Sequence, residues 1–245
     1  RNPNTEGLGF PLKYWRRCLR ERGIKVEIFE KGKPQLFECD VLGLDSKRFR
    51  HLWKVDFDRC LAEIEFFADQ GSRLIWFNTG DGTGQIQRQV LPFVSRYLKS
   101  QSLKDRSQYK RTYYGDRVYT DFYHEKYMIT DDKEVKSVSL SDKEIQKLSV
   151  SWNFGMANFF DYRGNFAYRA RKLTLSPQML IYPQKDRCIK LAKRDRDQFV
   201  NFRMRTRYSR KTIAFQRSQL TQFFAKEGYG SNKPIGQRKY FEELR

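Results

Sequence analysis

The sequence is poor in the residues that ligate metals or carry redox chemistry. Its 245 residues include only two histidines, His51 and His124, so a metal centre would depend mostly on carboxylates. The cysteines are Cys18, Cys39, Cys60 and Cys188. They lie far apart with no CxxC pair, which argues against a zinc site and favours reduced thiols in a cytoplasmic protein. We therefore predict that the protein binds no metal and no cofactor.

Several long motifs are also absent from the sequence. No apolar run approaches the roughly 20 residues that span a bilayer, and no signal peptide is visible. Neither GxGxxG nor GxxxxGKS/T occurs, so the chain lacks the usual fingerprints for dinucleotides and for a phosphate-binding P-loop. The chain starts without Met and stops inside a predicted helix, so we expect a fragment of a longer protein.

Acidic residues are scarce relative to basic ones. The chain has 29 Asp and Glu against 49 Lys and Arg, a formal charge of +20. Such an excess predicts an anionic partner: a nucleic acid, an anionic membrane surface or a phosphorylated small molecule. With 39% hydrophobic residues, the chain is still large and apolar enough to bury a core.

The most informative stretch is 73–84, where an apolar run leads into a glycine-rich polar segment. Leu74 to Phe77 is typical of a buried parallel strand. Ligands of open α/β sheets bind beyond the carboxyl ends of the strands, and glycine lets a ligand approach the backbone closely. The candidate ligand-binding residues here are Asn78, Thr79, Gly80, Gly82 and Thr83, with Asp81 between them. The alternative is an ordinary polar turn with a helix N-cap.

Helical and strand patterns alternate through the first half of the chain. Apolar residues at helical spacing predict helices over 9–21 and 57–68, and Ser141 with Glu144 predicts a capping box. Strands are predicted over 24–29, 39–44 and 91–98, besides the one at 74–77. This order predicts an α/β fold with a Rossmann-like parallel sheet flanked by helices.

Basic and aromatic residues are interleaved between Arg96 and Arg117. Seven Lys and Arg alternate with four tyrosines, Tyr97, Tyr109, Tyr113 and Tyr114. Such interleaving can hold phosphates and stack bases, at about 1 to 3 kcal/mol for each stacked base. The alternative is a solvated surface whose tyrosines pack inward.

A second basic stretch precedes the last predicted helix. Phe199 to Phe202 is predicted to be a strand, and a helix is predicted to carry Ile213, Leu220 and Phe224. The turn between them provides Arg203, Arg207, Ser209 and Arg210, an arrangement typical of an anion site at a helix N-terminus. The alternative is again a solvated surface. The charged stretch 193–197 is the best linker, so we predict domains over 1–192 and 193–245.

The chain resembles a family of bacterial surface-polysaccharide glycosyltransferases with the two-domain GT-B architecture. The similar stretches include 12–29, 39–46, 74–84, 90–99, 105–109, 120–124, 151–155 and 208–217. The resemblance implies a complete first Rossmann-like domain, which binds the acceptor, and the start of a second α/β domain, which binds the nucleotide-sugar. The glycine loop and acidic residue expected for the donor further along are absent.

The resemblance also implies a reaction and roles for particular residues. A sugar passes from a nucleotide-sugar to a polysaccharide or lipid-linked acceptor, with a general base on the acceptor hydroxyl and positive charge on the leaving diphosphate. Asp81 is the first candidate base and His124 the second. Arg203, Arg207 and Arg210 are the candidates for the diphosphate, without a metal.

Two competing functions remain open at this stage. The +20 charge fits a nucleic-acid-binding module, although no zinc finger or RRM motif supports one. A non-catalytic glycosyltransferase-like scaffold is the third interpretation. We prefer an enzyme of the cytoplasm, peripheral on the inner face of the membrane, because anionic lipids attract basic proteins that act on lipid-linked acceptors.

Overall fold

The structure, a computed structural model, describes residues 3–29, 34–80, 82–152 and 207–227. The strands are β1 (Val41–Asp45), β2 (Arg73–Asn78), β3 (Arg96–Lys99) and β4 (Leu148–Val150). The helices are α1 (Pro3–Tyr14), α2 (Arg16–Glu21), α3 (Leu52–Val55), α4 (Phe57–Ala68), α5 (Val118–Tyr127), α6 (Asp142–Lys147) and α7 (Lys211–Lys226). Short 3-10 helices cover Pro34–Phe37, Arg88–Phe93 and Arg106–Lys110.

The four strands form one parallel sheet in the order β1-β2-β3-β4. Their register aligns one buried side chain from each strand in a row across the sheet: Leu44, Trp76, Tyr97 and Leu148. Trp76 and Tyr97 in the middle of this row are fully buried. Helices flank the sheet, so the predicted α/β fold with a Rossmann-like parallel sheet is confirmed.

Helix α4 shows why the local pattern predicts this part of the fold so well. Asp56 caps the helix by accepting a hydrogen bond from the Arg59 N–H at 3.1 Å. Cys60, Ile64 and Phe67, spaced by four and three residues, are the buried face of the helix. Gly71 follows with a positive φ of 83°, which lets the chain turn sharply into β2.

The capping box at the start of α6 is confirmed. The Ser141 side chain accepts a hydrogen bond from the Glu144 N–H, and the Glu144 carboxylate accepts one from the Ser141 N–H at 2.8 Å. Both bonds satisfy donors that the first turn of a helix would otherwise leave unpaired.

Three local predictions are wrong in detail. The predicted strand at 24–29 is irregular, and the exposed Ile24 and Ile28 pair with no neighbouring strand in the described residues. The predicted strand at 91–98 begins only at Arg96, because Pro92 lacks an N–H for strand pairing and the chain there forms the 3-10 helix Arg88–Phe93. The predicted helix at 9–21 starts earlier, at Pro3, and is interrupted at Trp15.

The chain divides into two compact units. Of the described residues, the first unit holds 3–29, 34–80, 82–112 and 138–152, including the whole sheet, and the second holds 113–137 and 207–227. In the second unit, Tyr127 of α5 packs on Phe215 of α7, with 4.9 Å between ring centroids. Helix α7 confirms the predicted last helix, whereas the predicted boundary at 193 and strand at 199–202 lie outside the described residues.

Among the described helices, none is long and apolar enough to cross a membrane.

Candidate functional site at the carboxyl edge of the sheet

The strands of the first unit end in polar residues along one edge, which we call the carboxyl edge. Because all four strands are parallel, their last residues lie together there. The residues at these ends are Asp45 at the end of β1 and Ser46 after it, Asn78 at the end of β2 and Thr79 after it, Lys99 at the end of β3, and Ser151 after β4. Two backbone bonds hold the edge together: Ser46 N–H to the Phe77 carbonyl and Ser151 N–H to the Lys99 carbonyl, each 3.0 Å.

Asn78 and Lys99 form a buried polar pair at the centre of this edge. They are register partners, with 6% and 1% of their surfaces exposed. The Asn78 side-chain NH₂ donates to the Tyr97 hydroxyl. Its oxygen accepts from the Gly80 N–H at 2.8 Å and from the Lys99 ammonium at 3.5 Å. Both atoms of the Asn78 amide therefore have partners.

The Lys99 ammonium also donates to the Gly80 carbonyl at 3.1 Å. Lysine is rarely buried to this degree, since removing an ammonium from water costs several kcal/mol. The two acceptors named here, the Asn78 amide oxygen and the Gly80 carbonyl, are neutral. The ammonium lies against the Gly80 carbonyl, at the start of the glycine-rich segment.

Thr79 connects the end of β2 to the end of β1. Its N–H donates to the Ser46 hydroxyl at 3.1 Å, and its own hydroxyl donates to Asp45 Oδ1 at 2.8 Å. The other Asp45 oxygen accepts from the hydroxyl of Thr5 in α1. Asp45 and Ser46 are functional candidates that the sequence pattern missed, although they follow the apolar part of a strand just as Asn78 and Thr79 do.

Ser151 supplies an unsatisfied group at the same edge. Its side chain is 8% exposed, and its hydroxyl makes no hydrogen bond. A buried hydroxyl without a partner costs about 1 to 3 kcal/mol. Within the described residues only one other buried side-chain atom lacks a partner, Arg117 Nε in the second unit. A ligand hydroxyl or phosphate oxygen at this edge would satisfy Ser151.

The glycine-rich loop folds onto the segment after β3. Gly84 has a positive φ of 72°, and its N–H donates to the Gln101 carbonyl at 2.9 Å. A Cβ at this position would lie 2.7 Å from Leu103, so only glycine fits without rearrangement. The Thr83 hydroxyl donates to Gln101 Oε1 at 3.3 Å. Asp81, the first candidate base, lies outside the described residues.

His124, the second candidate base, belongs to the second unit. Its ring stacks on Tyr114 with 3.7 Å between centroids and 7° between planes. Its Nδ1 lies 2.8 Å from the Ile129 carbonyl, and because a carbonyl only accepts, Nδ1 carries the proton. His124 is therefore oriented by two contacts, leaving Nε2 as the basic nitrogen of the neutral ring.

The predicted anion site at the start of α7 has an occupant from the chain itself. The carboxylate of the buried Asp131 accepts from the Thr212 N–H at 2.8 Å and from the Thr212 hydroxyl at 3.0 Å. Arg210 donates to the Gly115 carbonyl. Arg207 and Ser209 are exposed, and Arg203 lies outside the described residues. A carboxylate thus already satisfies the helix N-terminus in this unit.

The tyrosines between Arg96 and Arg117 pack inward. Tyr97, Tyr109, Tyr113 and Tyr114 are all less than 7% exposed. The hydroxyls of Tyr97 and Tyr109 accept from the backbone N–H groups of Gln87 and Leu103. Buried rings have no face to offer to a base, so the aromatic part of the nucleic-acid hypothesis is wrong and the inward-packing alternative is confirmed.

Groups of three or more histidine, cysteine and acidic residues that could hold a metal ion are absent from the described part of the chain. No protein-family model, curated protein or solved structure matches the sequence. Function is therefore inferred from the residues and their geometry.

Proposed function

We propose that the protein is glycosyltransferase-like and transfers a sugar from a nucleotide-sugar to a polysaccharide or lipid-linked acceptor. The first unit would be the acceptor-side domain of a GT-B arrangement, with the acceptor hydroxyl at the carboxyl edge. The observation that best supports this proposal is the buried ammonium of Lys99 beside Asn78, beneath the loop that carries Asp81. A buried charge is costly, and its position at the ligand-binding edge of a parallel sheet favours a functional role.

The chemistry assigned to this edge is deprotonation of the acceptor. Asp81 would accept the proton of the acceptor hydroxyl as its oxygen attacks the anomeric carbon, and the bond from that carbon to the nucleoside diphosphate breaks. Lys99 is a positioning residue in this scheme, because it holds the carbonyl of Gly80, the residue immediately before Asp81.

Arg207 and Arg210, two of the arginines proposed for the diphosphate, belong to the second unit. Arg207 is exposed and is available for a diphosphate, whereas Arg210 already donates to Gly115. Positive charge of this kind would stabilise a leaving diphosphate. The basic surface of the chain also suits an enzyme that meets its lipid-linked acceptor at an anionic membrane.

Release of nucleoside diphosphate from a panel of nucleotide-sugars tests the proposal, with glycan and lipid-linked acceptors added to the full-length protein. The variant Asp81→Asn is compared with Asp69→Asn, which changes an exposed carboxylate at the end of α4. We expect at least a 100-fold lower transfer rate for Asp81→Asn, the usual range for a lost general base, and an unchanged rate for Asp69→Asn.

Three results would count against the proposal. Full turnover by Asp81→Asn would show that Asp81 is not the general base. Absence of transfer from every donor by the full-length protein would favour a non-catalytic scaffold. Selective binding of a random-sequence oligonucleotide that persists at about 200 mM salt, without binding of any nucleoside diphosphate, would favour a nucleic-acid module.

A further inference from the structure

A cavity of about 540 Å³ lies at the opposite edge of the sheet from the candidate site, where the strands begin. We call it the amino-edge cavity. Its apolar floor is Val41 of β1 and Ile75 of β2, and its charged walls are Arg73, Arg96, Lys143 and Lys147. The cavity and all of these residues belong to the first unit. Its volume is within the usual range for small-molecule sites, about 300 to 1,000 Å³.

The sheet register places the cations and the apolar floor side by side. Val41 pairs with Arg73, and Ile75 pairs with Arg96. Register partners in a parallel sheet project from the same face, so each arginine stands next to an aliphatic side chain. Lys143 and Lys147 enter from α6, one turn apart. The positive charges in the amino-edge cavity thus come from three separate elements: β2, β3 and α6.

Two of the four cations are held in place by neutral carbonyl groups. Arg96 donates to the Gln146 carbonyl at 2.8 Å, and the Lys147 ammonium donates to the Leu91 carbonyl at 2.6 Å. These bonds fix the two side chains without neutralising their charge. Arg73 and Lys143 make no side-chain hydrogen bond within the described residues, and both remain available to a ligand.

The nearest acidic residues on α6 are paired elsewhere. Glu144 pairs with Arg88 at 2.9 Å, and Asp142 pairs with Lys110 at 2.7 Å. In the part of the chain that the structure describes, no ion pair includes any of the four cavity cations. The cavity therefore gathers four positive charges that form no ion pair within the described residues, and an anion would relieve their mutual repulsion.

We propose that the amino-edge cavity binds a small phosphate-bearing molecule, with its phosphate or diphosphate group between Arg73, Arg96 and Lys143. Arginine forks match the geometry of phosphate oxygens, and a lysine ammonium adds a point charge. The aliphatic floor accommodates the apolar face of a sugar or nucleobase. This site is separate from the carboxyl edge, so it provides a second, regulatory or substrate-recruiting, ligand position beyond the proposed transfer reaction.

Isothermal titration of the whole chain with inorganic phosphate, pyrophosphate and a nucleoside diphosphate tests this proposal, with sodium chloride at matched ionic strength as reference. The double variant Arg73→Gln, Lys143→Gln removes the two cavity cations whose side chains make no hydrogen bond or ion pair within the described residues. The matched control is Arg50→Gln, Lys54→Gln, which removes the same charge from exposed positions in and beside α3. Fluorescence spectra and unfolding midpoints confirm that every variant is folded.

We expect pyrophosphate or the nucleoside diphosphate to bind the wild-type chain and to bind at least tenfold more weakly to the cavity variant. The control variant should retain the wild-type affinity within about twofold. Equal weakening in both variants, or no binding of any of the three ligands at 10 mM or so, overturns the proposal. A random-sequence oligonucleotide is titrated in parallel. If the cavity variant weakens binding of the oligonucleotide but not of the three small ligands, the proposal is overturned, and a nucleic acid is the ligand of these cations. The rate of sugar transfer by Asp81→Asn tests only the function proposed for the carboxyl edge. Either proposal can therefore be contradicted while the other stands.

Discussion

The polar side chains at the two edges of the sheet differ in burial and in hydrogen bonding. At the carboxyl edge, Asn78, Thr79 and Lys99 are buried, and their side chains are bonded to one another, to Asp45 or to the adjoining backbone. At the amino edge, Arg73 and Lys143 are on the surface of an open cavity, and their side chains make no hydrogen bond or ion pair within the described residues. The first arrangement is a structural network whose disruption should destabilise the unit, and the second is a charged surface whose disruption should not.

This difference indicates how each edge is built to bind. A buried network holds a loop and a charge in one geometry before a ligand arrives, which suits chemistry. Uncompensated surface cations attract an anion from a distance and adapt to it, which suits capture. All four tryptophans, Trp15, Trp53, Trp76 and Trp152, belong to the first unit. Their fluorescence therefore reports unfolding of the unit that contains both edges.

The largest effect is expected from Asn78→Ala at the carboxyl edge. The change leaves the Gly80 N–H and the Lys99 ammonium without the Asn78 oxygen, in a site that is shielded from water. We expect the free energy of unfolding to fall by about 3 kcal/mol, measured by urea denaturation with tryptophan fluorescence. Gln89→Ala, an exposed control, should change it by less than about 0.5 kcal/mol. Similar values for the two variants would show that the network is not structural.

A smaller effect is expected from Tyr97→Phe, which removes one hydroxyl and keeps the ring. That hydroxyl accepts from the Gln87 N–H at 3.0 Å and from the Asn78 side chain. The loss should lower the free energy of unfolding by about 1 to 2 kcal/mol, with the same urea measurement. An unchanged or increased stability would mean that water or a rearranged Asn78 replaces the hydroxyl, and the edge would be less rigid than its hydrogen bonds indicate.

The sequence predicts β1, β2 and α4 well because their signals are local, whereas β3 is shorter than predicted and β4 is not predicted. The N-cap Asp56, the buried spacing of α4 and the apolar run of β2 all lie within a few residues of the structure that they specify. The wrong strand at 24–29 has the same local alternation but no partner strand in the described part of the fold. A strand is stabilised mainly by its neighbours, and no local pattern contains that information.

The candidate site was predictable only in part, for the same reason. Asn78 and Thr79 follow an apolar run, so their place at the carboxyl edge can be predicted from the sequence. Lys99 cannot be distinguished there from the surrounding surface lysines, because its burial depends on its pairing with Asn78, 21 residues away. Likewise, Arg73, Arg96 and Lys143 are separate surface cations until the sheet and α6 bring them to one cavity.

A third prediction concerns Glu144 in α6, the helix that lines the amino-edge cavity. Partial burial alone would raise the pKa of Glu144, but hydrogen bonds from Ser141 and Arg88 outweigh it and lower that pKa below its ordinary value. Because the pKa of Glu144 is lower in the folded state than in the unfolded state, the ionised carboxylate stabilises the fold at pH values above the unfolded pKa of about 4.3. This stabilisation is lost as the pH falls through the pKa of the folded state.

Glu144→Gln should therefore lower the free energy of unfolding by about 1 kcal/mol at pH 7, measured by urea denaturation. The difference between the variant and the wild type should shrink as the measurement is repeated at successively lower pH, because the wild-type carboxylate takes up its proton at a pH below its ordinary pKa. A difference that stays constant across this range would assign the loss to packing of α6 and not to the charge of Glu144.

The smallest effect is expected from Arg73→Gln, at the edge that we assign to anion capture. Its guanidinium bonds to nothing in the described residues, so the change should alter the free energy of unfolding by less than about 0.5 kcal/mol. Any change should be a gain at low ionic strength that fades as salt is added, because removing one of four like charges relieves a repulsion that salt screens. Urea denaturation at about 20 and 200 mM sodium chloride measures both. A loss above 1 kcal/mol at either salt would mean that Arg73 stabilises the fold, and the contrast between the edges would disappear, since both would then be structural networks.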